Sequence, residues 1–186
     1  MGPIKWFLDM AVMQDQTHCT IPLSQATYID TVLQCFNVED SYTVSTPLNL
    51  NVVLNKSMSL QSNEEQIKMK EIPYLSGVGS LMYASMETRP DITCATNKLS
   101  QLNADPDLPH WVALQQVFHY LKKMRNFALT LGNVTKPQLI GYTDSDYAGC
   151  TDTYRSTLGK CLPWDVVPSL GASYHATKDF AGYSNS

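Results

Sequence analysis

Charge is scarce in this chain. Asp, Glu, Lys and Arg make up only 16% of its 186 residues, against about 25% in ordinary soluble domains, and seventeen acidic residues against thirteen basic ones leave a net charge of -4. Affinity for DNA or RNA comes largely from Lys and Arg displacing counterions from phosphates, so this balance argues against tight autonomous nucleic-acid binding, although a local groove can be basic on an acidic protein. Long apolar runs are also missing. No window reaches the roughly 18 uninterrupted apolar residues of a membrane helix, and no basic stretch leads into an apolar run at the N-terminus, which predicts neither a membrane span nor a signal peptide. Trp6 stands where N-myristoylation requires Ser or Thr. The cysteines, Cys19, Cys35, Cys94, Cys150 and Cys161, are odd in number, widely spread and without a C-x-x-C pair, so neither a zinc site nor a disulfide framework is implied, and a reducing intracellular compartment is expected. His18 adjoins Cys19, but neighbours on a strand point to opposite faces and do not chelate together. No Asp-Asp dipeptide and no internal repeat occurs.

The 44% of hydrophobic residues suffices for the core of one ordinary domain or two small ones. Residues 4–23 alternate loosely, with Trp6, Leu8 and Met10 on one parity, a polar turn at Gln14-Asp-Gln16, then Cys19, Ile21 and Leu23, the pattern of a β-hairpin. Ser24 can cap a helix from Gln25 to Phe36 with Tyr28, Ile29, Val32, Leu33 and Phe36 at helical spacing. Residues 37–62, rich in Asn and Ser, lack periodicity and read as an extended linker. Asn63, Glu64-Glu65, Lys68 and Lys70 have the polarity of a short capped helix. Pro73 suits the first turn of another, with Tyr74, Val78, Leu81 and Met82 as one stripe. Pro90 ends it, and Asp91 is placed to cap a helix whose Ile92, Ala95 and Leu99 face inward. A turn at Asp105 to Pro109 precedes the clearest amphipathic pattern, Trp111, Leu114, Val117, Phe118 and Leu121, running to Lys123. Two strands are expected after it, Phe127 to Leu131 and Gln138 to Thr143.

The second of these runs into Asp144 and Asp146. At i and i+2, both carboxylates could project from one face of a sheet edge, an arrangement that suits the oxygen-only preference of Mg²⁺. Local pattern leaves a plainer alternative open, because Asp and Gly are common turn residues at strand ends. Context extends the segment Leu139-Ile-Gly-Tyr-Thr-Asp-Ser-Asp-Tyr-Ala-Gly149. Upstream, in order, stand Gly2-Pro-Ile-Lys-Trp-Phe-Leu8, Leu23-Ser-Gln-Ala-Thr-Tyr-Ile29, Val44-Ser-Thr-Pro-Leu48, Val78-Gly-Ser-Leu-Met-Tyr-Ala84, Thr88-Arg-Pro-Asp-Ile92, Leu99-Ser-Gln101 and His110-Trp111. Over roughly residues 1–160 this series resembles the Pol polyprotein of Ty1/copia-type LTR retrotransposons, from the end of the reverse transcriptase into the start of its RNase H.

The resemblance implies an α+β fold in which an N-terminal β-hairpin and helical thumb and connection segments precede an incomplete RNase H-like sheet. Its parts would be a primer-grip-like hairpin and first thumb helix (1–36), a linker (37–62), thumb-like helices (63–108), a connection helix and strand (109–136) and a truncated RNase H-like segment with a divergent tail (137–186). Lys5 and Trp6 would approach the sugar-phosphate backbone of a template-primer duplex or RNA/DNA hybrid, close to Asp9, which replaces a family Gly. Gly77, Gly79 and Tyr83 match the helix that lies in the duplex minor groove; two glycines within a helix weaken it by about 1 kcal/mol each, and close approach to a duplex or tight helix packing would each explain them. Thr88-Arg-Pro-Asp91 reads as a helix break with Arg89 held by nearby carbonyls. Gln115-Gln116 and His119 stand where the family carries basic residues.

Asp144 matches the first of four family carboxylates that hold two Mg²⁺ ions for hydrolysis of the RNA strand. Asp146 is a weaker candidate ligand. Past Gly159 the sequence stops following the family, and the paired aspartates of a polymerase are missing. The parent activities are RNA-directed DNA polymerisation and hybrid hydrolysis; this chain is expected to be inactive, to hold no Mg²⁺ tightly, to avoid membranes and to need the rest of the polyprotein to complete its fold. The alternatives are a non-catalytic nucleic-acid-binding or protein-interaction module, and a relic with no selected role.

Overall fold

The computed structural model describes residues 2–49, 54, 69–132, 142–145 and 158–161. The chain divides into two units, one made of Met1–Tyr28, Met86–Asp91 and Asn126–Ser186, the other of Ile29–Ser85 and Ile92–Arg125. The fold is α+β.

The first unit carries an antiparallel sheet in the order β1 (Trp6–Phe7), β2 (Met10–Val12), β3 (Thr20–Ser24) and β4 (Ala128–Gly132). The alternation at 4–23 does give a hairpin, but its parity changes at a two-residue turn. Phe7 faces Met10 and Trp6 faces Ala11, so Trp6 and Met10 do not share a side of the sheet. Leu8 and Asp9 form that turn at φ +48° and +58°, the backbone twist that two-residue hairpins require and that Gly or Asn adopts more easily. His18 and Cys19 lie in a turn rather than on a strand, so the strand argument against their chelation does not apply here. β3 pairs along its whole length with β4, Thr20 opposite Gly132 and Ser24 opposite Ala128, more than a hundred residues away. Gly132 has φ +106°, and a Cβ there would lie 2.2 Å from the Cys19 carbonyl oxygen, so only glycine closes this end of the pair.

Two further strands, β5 (Tyr142–Ser145) and β6 (Leu158–Cys161), form a separate antiparallel pair with Asp144 opposite Gly159. The strand expected at Gln138 to Thr143 is thus seen from Tyr142 onward, and its earlier residues lie outside the described ones.

The helix α1 (Ala26–Cys35) starts with Ser24 Oγ accepting from the Ala26 N–H at 3.3 Å. It ends in a left-handed cap, where Asn37 at φ +54° donates to the Gln34 carbonyl and Val38 to the Leu33 carbonyl. Leu33 and Val38, joined by the second of these bonds, are both buried, as are Ile29 and Val32. α2 (Tyr74–Glu87) buries Tyr74, Gly77, Val78 and Leu81; Met82, which periodicity places on the same stripe, is exposed. The Tyr74 hydroxyl donates to the Leu99 carbonyl at 2.9 Å, and burial raises its pKa.

A 3-10 turn (Pro90–Ile92) leads into α3 (Thr93–Ser100), which buries Ala95 and Leu99 as expected. Its N-cap is Ile92 with no side-chain cap, so the expectation that Asp91 caps this helix is corrected: the Asp91 carboxylate instead receives both Nε and an Nη of Arg89, at 2.9 and 2.7 Å. A carboxylate gains more from the two parallel bonds of a guanidinium fork than from a single helix N–H.

α4 (Leu108–Lys123) buries Leu114, Val117, Phe118 and Leu121. Asp107 caps it, accepting from Leu108 at 2.6 Å, while His110 Nδ1 accepts from the Asp107 N–H at 2.9 Å. The short helix expected from Asn63 lies outside the described residues except for helical residues 69–71.

Candidate nucleic-acid interface

The hairpin carries the sequence-selected Lys5 and Trp6. Trp6, Phe7 and Leu8 are 58 to 62% exposed, although Met10 beside them is buried. The Val12 N–H donates to the Lys5 carbonyl at 2.9 Å, which fixes the backbone that carries the Lys5 side chain. An open groove of about 370 Å³ runs along this strand pair, lined by Ile4, Lys5, Trp6, Ala11, Val12 and Met13 among others. It is largely apolar, with Lys5 as its cation. Asp9, exposed at the turn, adds a negative charge that repels phosphate.

The two helical glycines differ. A Cβ on Gly77 would meet Leu114 Cδ2 at 3.0 Å and Cδ1 at 3.2 Å, so this glycine lets α2 and α4 pack closely. A Cβ on Gly79 would meet nothing within 4 Å, and Gly79 is exposed. Tyr83 is half-buried on the same helix. Gly77 and Gly79 therefore do not form one contact surface.

The face of α4 that carries Gln116 and His119 is engaged by the chain segment 41–46. Gln116 Nε2 donates to the Thr46 carbonyl at 3.3 Å, Lys122 Nζ to the Ser41 carbonyl, and Lys123 Nζ to Ser45 Oγ at 2.6 Å. Tyr42 packs on the His119 ring with centroids 4.3 Å apart. Part of the expected linker is thus a strap tied to a helix. His119 is buried, and its pKa is lowered first by that burial and then by the Lys122 charge.

Arg89, read from sequence as held by carbonyls, is buried with its guanidinium on the Asp91 carboxylate and 5.8 Å from the Phe127 ring centroid. Its neighbour Thr88 donates to Gln25 Oε1 at 2.6 Å. This cluster is structural, with its charge neutralised locally.

Sequence reasoning missed the Asp15 and His18 pair. The Thr17 and His18 N–H groups donate to Asp15 Oδ1 at 3.0 and 3.1 Å, and His18 Nδ1 lies 2.6 Å from Oδ2. The His18 contact lowers the Asp15 pKa. An Asp followed by polar residues in a turn was the available signal.

Asp144 lies on β5; Asp146 is outside the described residues. Opposite β5 the register places Leu158, Gly159, Lys160 and Cys161, none of them a carboxylate. Among the described residues of this strand pair, Asp144 is the single acidic one. Among the described residues no group of three or more His, Cys, Asp or Glu side chains converges as metal ligands.

No family model and no solved structure matches the chain. Curated proteins do. The retrovirus-related Pol polyprotein from transposon TNT 1-94 of Nicotiana tabacum is 39% identical over 159 residues, covering 86% of this chain and 12% of that protein. The Pol polyprotein from transposon RE2 of Arabidopsis thaliana is 35% identical over 137 residues, 74% of this chain and 9% of its own length. Over these residues the chain is similar to a segment of retrotransposon Pol polyproteins. A third relative, the secreted RxLR effector protein 161 of Plasmopara viticola, is 36% identical over 118 residues, which are 60% of the chain and 83% of that protein. The chain therefore spans about a tenth of the Pol polyproteins it matches, and its own residues, not the activities of those larger proteins, define what this Pol segment can do. None of its described helices is long and apolar enough to cross a membrane.

Proposed function

We propose that this segment corresponds to the stretch of a Ty1/copia-type Pol polyprotein from the end of the reverse transcriptase into the start of RNase H, and that it contacts template-primer duplex or RNA/DNA hybrid without cutting it. The observation that carries the reading is the hairpin: Lys5 and Trp6 stand exposed on a strand pair closed by a left-handed turn, in a chain whose relatives are named as transposon Pol polyproteins. A flat indole beside one cation suits a sugar-phosphate edge. Mg²⁺ would serve the complete parent enzyme; the described strand pair around Asp144 supplies one carboxylate towards it.

A gel-shift titration with a labelled RNA/DNA hybrid tests the contact. Salt-dependent retardation that weakens in Lys5→Ala and Trp6→Ala is expected, and absence of any shift at low salt would refute it. Incubation of the hybrid with Mg²⁺ tests the absence of chemistry: intact RNA is expected, and cleavage that Asp144→Asn abolishes would show the opposite. A protein-interaction module is the second reading, favoured by the apolar character of the exposed hairpin and the net charge of -4.

A further inference from the structure

α2 buries one side and leaves another bare. Leu75, Met82 and Met86 are 62, 43 and 74% exposed, and exposed Gly79 lies between them. At 100° per residue, positions 75, 79, 82 and 86 fall within a stripe roughly 60° wide, with the 4-3-4 spacing of a helix-pairing seam. Three large apolar side chains in such a line are not scattered surface hydrophobes.

We infer that this seam pairs with the same seam of a second copy, the two helices antiparallel about a two-fold axis between residues 80 and 81. The order of side chains supports that occupant. Such an axis sets Leu75 opposite the partner copy's position 86 and Gly79 opposite its position 82, so a flexible Met enters the space over a glycine, twice. That space is open, since nothing lies within 4 Å of a Cβ built on Gly79.

Charge agrees. Glu87, the helix's only charged residue, sits at its C-terminal end, where it opposes the helix dipole; antiparallel pairing moves it beside the positive N-terminal end of the other helix. With no Lys or Arg on α2, a nucleic-acid duplex would gain no counterion release from this face. One helix pair buries less than the roughly 1,200 Å² of a standard interface, so the dimer is weak and concentration-dependent.

Sedimentation velocity on the full chain without nucleic acid, up to about 100 μM, tests this independently of the hairpin reading. The average mass is expected to rise from 20.8 kDa towards twice that value. Met82→Glu should weaken association about ten-fold with an unchanged circular dichroism spectrum, whereas Val112→Glu, at an exposed site outside the seam, should not. Leu75→Lys and Met86→Glu should each weaken it, and the double variant should recover most of the loss because those positions face each other. A monomer throughout, indifference to Met82→Glu, or additive losses in the double variant would overturn the inference.

Discussion

At the scale of single residues, identical amino acids do opposite work. Gly77 makes room for Leu114, whereas Gly79 faces open space. Gly79→Ala should therefore gain up to about 1 kcal/mol of helix propensity in urea unfolding at low protein concentration, and Gly77→Ala should gain less or lose stability because its Cβ presses on packed methyls. His119 supplies a pH dependence. Its folded pKa lies below the ordinary 6.5, so above pH 6.5 the ring is neutral in both states and its contribution is intact. As pH falls below 6.5 the unfolded chain binds a proton that the folded chain resists, and stability declines until the lowered folded pKa is reached. Thermal unfolding from pH 7.5 to 5 should show this loss, and His119→Phe should flatten it. Both effects depend on packing partners distant in sequence, which is why composition and spacing could not separate one glycine from the other.

At the scale of elements, local chemistry was the more legible part. The apolar spacing of α1 and α4 and most of that of α2 is visible in the chain because each buried stripe follows the period of its own backbone, whereas the hairpin's alternation is broken by the turn at Leu8 and Asp9. Ends were less legible: Asp107 caps α4 as its residue type suggests, but Asp91 serves Arg89 instead of α3. Asp107→Ala should cost about 1 kcal/mol of stability, read by chemical unfolding. The hairpin turn predicts the opposite sign. Asp9→Gly removes the side-chain penalty at φ +58° and should stabilise by about 0.5–1 kcal/mol. The same change removes a negative charge near the proposed contact, so hybrid affinity should rise in the gel shift; an unchanged affinity would count against the hairpin as the contact.

At the scale of the whole molecule, charge sets the limit. The net charge is -4, and with Lys122 and Lys123 engaged by residues 41–46 and Arg89 and Arg125 paired with carboxylates, few cations remain for phosphate among the described residues. The slope of log affinity against log salt should correspond to about one or two phosphate contacts, and a slope equivalent to six or more would show a basic surface elsewhere on the chain.

The sequence by itself determined the α+β content, most helix faces and, through the order of its short motifs, the kinship with transposon Pol polyproteins, because propensity, periodicity and motif order are properties of the chain in one dimension. Tertiary structure alone decided that β4 completes the hairpin's sheet, that the 41–46 strap covers α4, and that Gly77 is packed while Gly79 is bare. Each of these joins residues that the chain keeps apart or separates residues that it keeps together, and their energies depend on distances that no local pattern encodes.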